Sequence, residues 1–335
     1  MHGLAVNLPG VYSRLSTKVG LPPAALHLLI WLSVAGVSSL ALFRPIYAHV
    51  YSLMFDTAAQ ESAGAYPLAM LLFLVLWLGI NSDSIRDRLR KDIDGFNPIP
   101  TALGVSLTVV SYILLLSRSL FNSTWVVFVE LMILMIWFEG LALIFANATG
   151  LFALRYLALF IPTASLQYVF STFLDPQVST AFLLLFFPLL QFLGYPVTLS
   201  TSIPSFQTIT INTLHGPVQL WINSGCTGLP AISVFLLLAG LIYLDAKPKM
   251  KFFVPSVILG LVFVLLLNML RLTVLVQQAL AAPDVSTAYA QVASVHSWIG
   301  YAIYSVFYVV YVFIMLLPRF RQEQDQSNDV SPHAG

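Results

Sequence analysis

Residues 253–280 read FVPSVILGLVFVLLLNMLRLTVLVQQAL. A helix that crosses a ~30 Å hydrocarbon core needs about 20 mostly apolar residues. This run exceeds that length and carries one charge, Arg271. A helix apolar on all sides belongs in a large core or in lipid. Working outward, comparable runs occur at 24–43, 66–80, 101–117, 124–146, 227–244 and 298–317, of which 66–80 and 101–117 are short. Two less regular runs lie at 149–162 and 178–199. Composition agrees: of 335 residues, 59% are hydrophobic and 9% are charged, against roughly 25% charged in soluble domains. A soluble enzyme and a disordered chain are therefore excluded. The net charge of +1 supplies no basic field for nucleic acid. The single cysteine, Cys226, excludes an internal disulfide and a cysteine-built metal site.

Orientation follows from Lys and Arg in short loops. Basic residues gather at Arg14 and Lys18, in the loop 81–100 (Arg86, Arg88, Arg90, Lys91), at Lys247, Lys249 and Lys251, and at Arg319 and Arg321. These clusters share the cytoplasmic side if 178–199 enters and leaves on the outer face. Pro188, Gly194 and Pro196 make that segment a poor straight span, so it is expected to be interfacial or re-entrant. All but Arg44, Arg118 and Arg271 of the 15 Lys and Arg then lie inside. The first run follows basic residues as a signal peptide does. It is too long and lacks a small-residue cleavage site, so it reads as a retained span. The expected fold is an all-α polytopic membrane protein of about eight spans, with both termini cytoplasmic.

The stretch 200–223 is then extracytoplasmic. Thr208-Ile209-Thr210-Ile211 and Val218-Gln219-Leu220-Trp221-Ile222 alternate, and Leu214-His215-Gly216-Pro217 reads as a turn. The pattern predicts a β-hairpin. It leads into Asn223-Ser224-Gly225-Cys226-Thr227-Gly228 at the outer end of the next span.

Three residues on consecutive spans carry chemistry. Cys226 stands at a helix N-terminus, where the macrodipole favours a thiolate, and Gly225 and Gly228 leave room beside it; the plain alternative is a small buried hydrophobe. Arg271 lies about nine residues, roughly 13 Å, from the outer end of its helix. A charge there costs roughly 2.5–3.5 kcal/mol on insertion scales, so it needs a reason; snorkelling or a structural ion pair is the alternative. Asn268, Arg271 and Gln278 share one helix face within about 80°. His296 opens the last span, with Gly300 one turn later permitting close approach. A thiol, an imidazole and a guanidinium together supply nucleophile, base and oxyanion stabiliser, which is the equipment of acyl transfer. Glu130 and Glu139, nine residues apart on one span, point to opposite faces. Glu139 is placed to meet Arg271 or Arg155, or to be protonated. His215 reads as a solvated residue of the hairpin turn, His27 and His49 near the ends of the first span suggest no ligand geometry, and the sequence contains no HExxH, GxSxG or phosphate-binding glycine loop.

At Cys226-Thr227-Gly228, Asn268-x-x-Arg271 and His296-x-x-x-Gly300 the chain resembles the exosortase/archaeosortase family of membrane transpeptidases. The upstream Phe160-Ile161-Pro162, Leu166-Gln167 and Leu193-Gly194-Tyr195-Pro196-Val197 resemble it too, and Thr227 resembles the archaeal branch. The resemblance implies a catalytic core over 121–318, preceded by N-terminal transmembrane helices over 1–120 and followed by a disordered cytoplasmic tail at 319–335. It implies a cysteine peptidase or transpeptidase of the cell membrane. Such an enzyme acts on C-terminal sorting-signal peptides of surface proteins and transfers the protein to an acceptor, a membrane lipid in archaea, without cofactor or metal. It further implies Cys226 as nucleophile, Arg271 as oxyanion stabiliser and His296 as acid–base group. Asn223, Gly228, Asn268 and Gly300 would be supporting or substrate-binding positions. The competing expectations are a polytopic permease, or an inactive relative acting as a binding or assembly protein.

Overall fold

A computed structural model of the chain describes residues 15, 17–20, 22–55, 65–81, 84–85, 87–88, 98–121, 123–203 and 206–329. Arg14, Arg86, Arg90 and Lys91, used above for orientation, lie outside the described residues. In chain order the elements are α1 (Pro23–Leu42), α2 (Arg44–Phe55), α3 (Ala65–Ile80), α4 (Pro98–Leu116), α5 (Ser123–Phe145), α6 (Asn147–Phe173) and α7 (Asp175–Phe192). The strands β1 (Val197–Ile203), β2 (Phe206–Thr213) and β3 (Gly216–Ile222) follow, and then α8 (Leu229–Ala246), α9 (Met250–Ala281) and α10 (Val285–Asp329). Among the described residues, 7 helices are long and apolar enough to cross a membrane: α1, α4, α5, α6, α8, α9 and the first part of α10, to Leu317. The expected span at 66–80 is a shorter apolar helix, Met70–Ile80. The chain is a helical membrane protein carrying a small sheet.

Contacts divide the chain into two units, Met1–Pro162 and Thr163–Gly335. In the first unit, α4 and α5 meet through small residues: a Cβ on Gly104 would lie 2.6 Å from the Gly140 carbonyl oxygen. Ser111 donates to the Ile133 carbonyl at 2.8 Å. Close backbone approach of this kind is how helices associate where lipid offers no hydrophobic gradient. Glu130, 1% exposed, is held by His49 Nδ1 at 2.6 Å and lies 3.4 Å from an Arg118 nitrogen. His49 therefore has a partner that its position in the sequence did not suggest. Glu139 is buried, with one carboxylate oxygen lacking a hydrogen-bond partner among the described residues.

The second unit contains the sheet. It is three-stranded and antiparallel in the order β1-β2-β3, where the sequence suggested a hairpin alone. The chain turns at Gly194, whose φ of 79° is a left-handed conformation suited to glycine, and Val197 then pairs with Ile211. The segment 178–199 is thus a helix followed by a strand, and α7 is not among the helices both long and apolar enough to cross a membrane. The tight turn is Leu214-His215, so Gly216 and Pro217 belong to β3 rather than to the turn. Pro217 is tolerated because β3 is an edge strand and its position faces outward: the Gln219 N–H, two residues on and on the same side, donates away from β2 to the Tyr289 hydroxyl at 3.1 Å. Alternate residues Val197, Ile209, Ile211, Val218 and Ile222 are buried against Phe182, Phe186 and Leu190 of α7 and Leu272, Leu275 and Val276 of α9. The sheet therefore rests on α7 and α9, and β3 feeds directly into the turn that carries Cys226.

Helices α8, α9 and α10 pack around Phe235, whose ring meets Phe307 at 5.8 Å and Tyr311 at 4.8 Å. The ring also fills the space that a side chain on Gly260 would need. Gly260→Ala is expected to destabilise the protein by about 1–3 kcal/mol through overpacking. Thermal unfolding in detergent checks this, against a midpoint that holds or rises for Gly36→Ala, a helical position where nothing lies within 4 Å. Helix α10 runs on to Asp329, where a disordered tail was expected from 319. Its continuation is good helix formers, Arg321-Gln322-Glu323-Gln324, which extend an existing helix without a new nucleation cost. Residues 330–335 lie outside the described ones.

Candidate functional site

Cys226 lies in a single 3₁₀ turn, Ser224–Thr227, between β3 and α8. The turn is tied at each polar point. Asn223 Oδ1 accepts from the Cys226 N–H at 3.1 Å, and Thr227 donates its hydroxyl to the Ser224 carbonyl at 2.7 Å. Asp175 Oδ1, at the start of α7, accepts from the Ser224 N–H at 2.7 Å. Asn268 Nδ2, from α9, donates to the Cys226 carbonyl at 2.8 Å. Gly228 closes the turn at φ 87°, a conformation that L residues rarely adopt, and a Cβ there would sit 3.0 Å from the Asn268 Cγ. Strain and collision act together, so Gly228→Ala is expected to cost about 1–3 kcal/mol and to loosen the Cys226 turn. Faster alkylation of the thiol, read beside a lowered unfolding midpoint, checks it.

Asn268 is fully buried and its amide has one consistent orientation. Its Oδ1 accepts from the Tyr304 hydroxyl at 3.0 Å and from Arg271 Nη1 at 3.4 Å, while Nδ2 faces the Cys226 carbonyl. Arg271, 3% exposed, donates Nη2 to His296 Nε2 at 2.9 Å and Nε to the His296 carbonyl at 3.4 Å. Neutral acceptors, not a carboxylate, hold this guanidinium. Nη2 also lies 3.4 Å from His296 Nδ1; arginine has no acceptor, so a neutral ring meets it through an unprotonated nitrogen, and the nearer one is Nε2. Gly300 makes the approach possible: a Cβ there would lie 3.2 Å from Arg271 Nε.

The residues singled out in the sequence, Cys226, Asn223, Gly228, Asn268, Arg271, His296 and Gly300, therefore converge. The link from thiol to guanidinium runs through the Cys226 backbone and Asn268. The sulfur itself meets backbone groups, the Trp221 carbonyl at 3.7 Å among them. The thiol is half-buried, and burial pushes its pKa up; a backbone hydrogen bond from Asn223 and the Arg271 charge pull it down, while the Asp175 charge raises it. Both charges thus act on the sulfur.

Asp175 and Tyr304 went unrecognised in the sequence. Tyr304 was legible, since His296, Gly300, Tyr304 and Tyr308 recur every four residues on one helix face. Tyr308 in turn donates to the Ala231 carbonyl at 2.8 Å and fixes α10 against α8. Asp175 carried only the signal of a helix start, Leu174-Asp175-Pro176. No group of three or more His, Cys, Asp or Glu side chains suited to a metal occurs among the described residues. Comparison of the chain with protein-family models, curated proteins and solved structures gives no match.

Proposed function

We propose that the protein is a membrane-embedded cysteine transpeptidase of the kind the exosortase/archaeosortase resemblance implies. In this reading it cleaves C-terminal sorting signals of surface proteins and transfers each protein to an acceptor, a membrane lipid, on the extracytoplasmic face of the cell membrane. One observation carries it: a buried arginine inside an apolar helix bonds to a histidine and, through one asparagine, to the backbone of the only cysteine. A guanidinium buried in an apolar helix without a carboxylate partner costs stability, and a chemical use accounts for that cost.

Cys226 Sγ attacks the scissile carbonyl and forms a tetrahedral intermediate. Arg271 stabilises its oxyanion. Collapse to the thioester expels the amine, which takes a proton from His296; the acceptor then attacks the thioester and releases the thiol. In the resting geometry Arg271 occupies the lone pair of His296 Nε2, so the imidazole can take the thiol proton only once that bond opens. A substrate carbonyl that draws the guanidinium away would open it. The exposed Trp221 and Trp298, flanking the site at 61% and 59% exposure, are the residue type enriched at membrane–water boundaries. That depth suits a helical substrate tail and a lipid acceptor, and scarce water favours transfer over hydrolysis.

The test is reconstitution in lipid vesicles with a surface protein bearing a C-terminal motif, span and basic cluster. The reading expects loss of the tail peptide and gain of lipid mass on the product. An intact substrate after many protein equivalents of time and enzyme, across a panel of such signals, contradicts it. A permease reading draws on the buried Glu130–His49–Arg118 group; solute uptake that survives full alkylation of Cys226 would favour it.

A further inference from the structure

We propose that Asp175 is a positioning residue for Cys226, clamping the start of the cysteine turn and setting a negative charge opposite Arg271. The inference rests on Cys226 being the reactive group of the proposed transpeptidase, and it goes beyond the resemblance, whose motifs do not include Asp175.

Two elements bring charges to bear on the thiol, and a third brings a titratable group to one of those charges. Helix α7 supplies Asp175, α9 supplies Arg271, and α10 supplies His296, which is bonded to Arg271. The turn and the end of β3 supply none, being Trp221, Ile222, Asn223, Ser224, Gly225 and Thr227, and α8 opens with Leu229-Pro230-Ala231. The carboxylate is thus the one negative charge near the sulfur among the described residues, answering one positive charge. Its geometry is independent of that charge: Oδ1 takes the Ser224 N–H at 2.7 Å, the bond that fastens the turn to α7. A charge-assisted bond to a backbone N–H is short and strong. Fastened there, the turn presents the thiol in one orientation, and the carboxylate adds to the burial that already favours the protonated thiol.

The two roles separate by substitution. Asp175→Asn keeps an oxygen for the Ser224 N–H and removes the charge; Asp175→Ala removes both. The chain has one cysteine, so the rate of carbamidomethylation by iodoacetamide across pH reads this thiol alone, in the full-length protein in lipid. Asp175→Asn is expected to shift the rate profile to lower pH by about half a unit, ~threefold faster reaction below the thiol pKa, with an unchanged plateau at high pH. Asp175→Ala is expected to shift the profile and also raise the plateau, because a freed turn exposes the thiolate. Asp284→Asn, an exposed carboxylate in the cap of α10, should leave the parent profile intact. An Asp175→Asn profile that superimposes on the parent overturns the charge role. An Asp175→Ala plateau equal to that of Asp175→Asn overturns the clamp. The readout needs no substrate, so an inactive protein with the expected shifts would sink the transpeptidase reading while showing that Asp175 positions the thiol, and parent-like profiles in an active protein would overturn the role of Asp175 alone.

Discussion

Cys226→Ala is expected to abolish processing of a sorting-signal substrate, by ~10³-fold or more, while the protein keeps its unfolding midpoint. Removing the nucleophile of a covalent mechanism leaves only positioning and oxyanion stabilisation, which cannot form the intermediate. The fold should survive for a local reason. The sulfur's bond to the Trp221 carbonyl is a long one, whereas the turn is fastened through backbone atoms of Ser224 and Cys226. Alanine keeps all of those. Cleavage of a reporter in vesicles, read beside a melting curve, decides the matter; parent-like cleavage by the alanine variant removes Cys226 from the mechanism.

The second large effect is at Arg271. Arg271→Lys should lower turnover by ~10²–10³-fold, the range seen when one oxyanion donor is lost. Lysine has a single nitrogen, and it cannot reach Asn268 Oδ1, the His296 carbonyl and His296 Nε2 as the planar fork does. Arg271→Met is more revealing. Because the partners of Arg271 are neutral, its removal strands no buried charge. Asn268 Oδ1 retains the Tyr304 hydroxyl. Stability should therefore stay within about 1 kcal/mol of the parent, or rise, since buried charges are often replaceable by apolar residues without loss, while activity disappears. A structural arginine would show the reverse, a large loss of stability with residual turnover. Paired measurements of unfolding midpoint and cleavage rate separate the two.

Much of this architecture was legible in the sequence because lipid imposes one rule. Long apolar runs become helices, and period-2 alternation between Thr208 and Ile222 becomes sheet. The strand β1 was missed for a physical reason: the apolar run of α7 extends without a charge into Val197-Thr198-Leu199, and only Gly194 with its positive φ marks the break. Of the site, the residues with intrinsic chemistry were visible. The ones that orient them were not, because a hydrogen bond such as Asp175 to Ser224 joins positions 49 apart in the chain and leaves no local pattern. The pairing of Arg271 with a neutral imidazole was equally invisible, since composition alone suggests a carboxylate partner.

The most direct test of the account is the covalent state of the sulfur during turnover. A substrate with the sorting signal is mixed with the protein in vesicles, quenched in acid and digested, and the peptide containing Cys226 is weighed by mass spectrometry. The account predicts that peptide with the substrate's upstream fragment attached through a bond that hydroxylamine cleaves, and no such adduct in Arg271→Met. Product formation at full rate with Cys226 unmodified at every time point would contradict it.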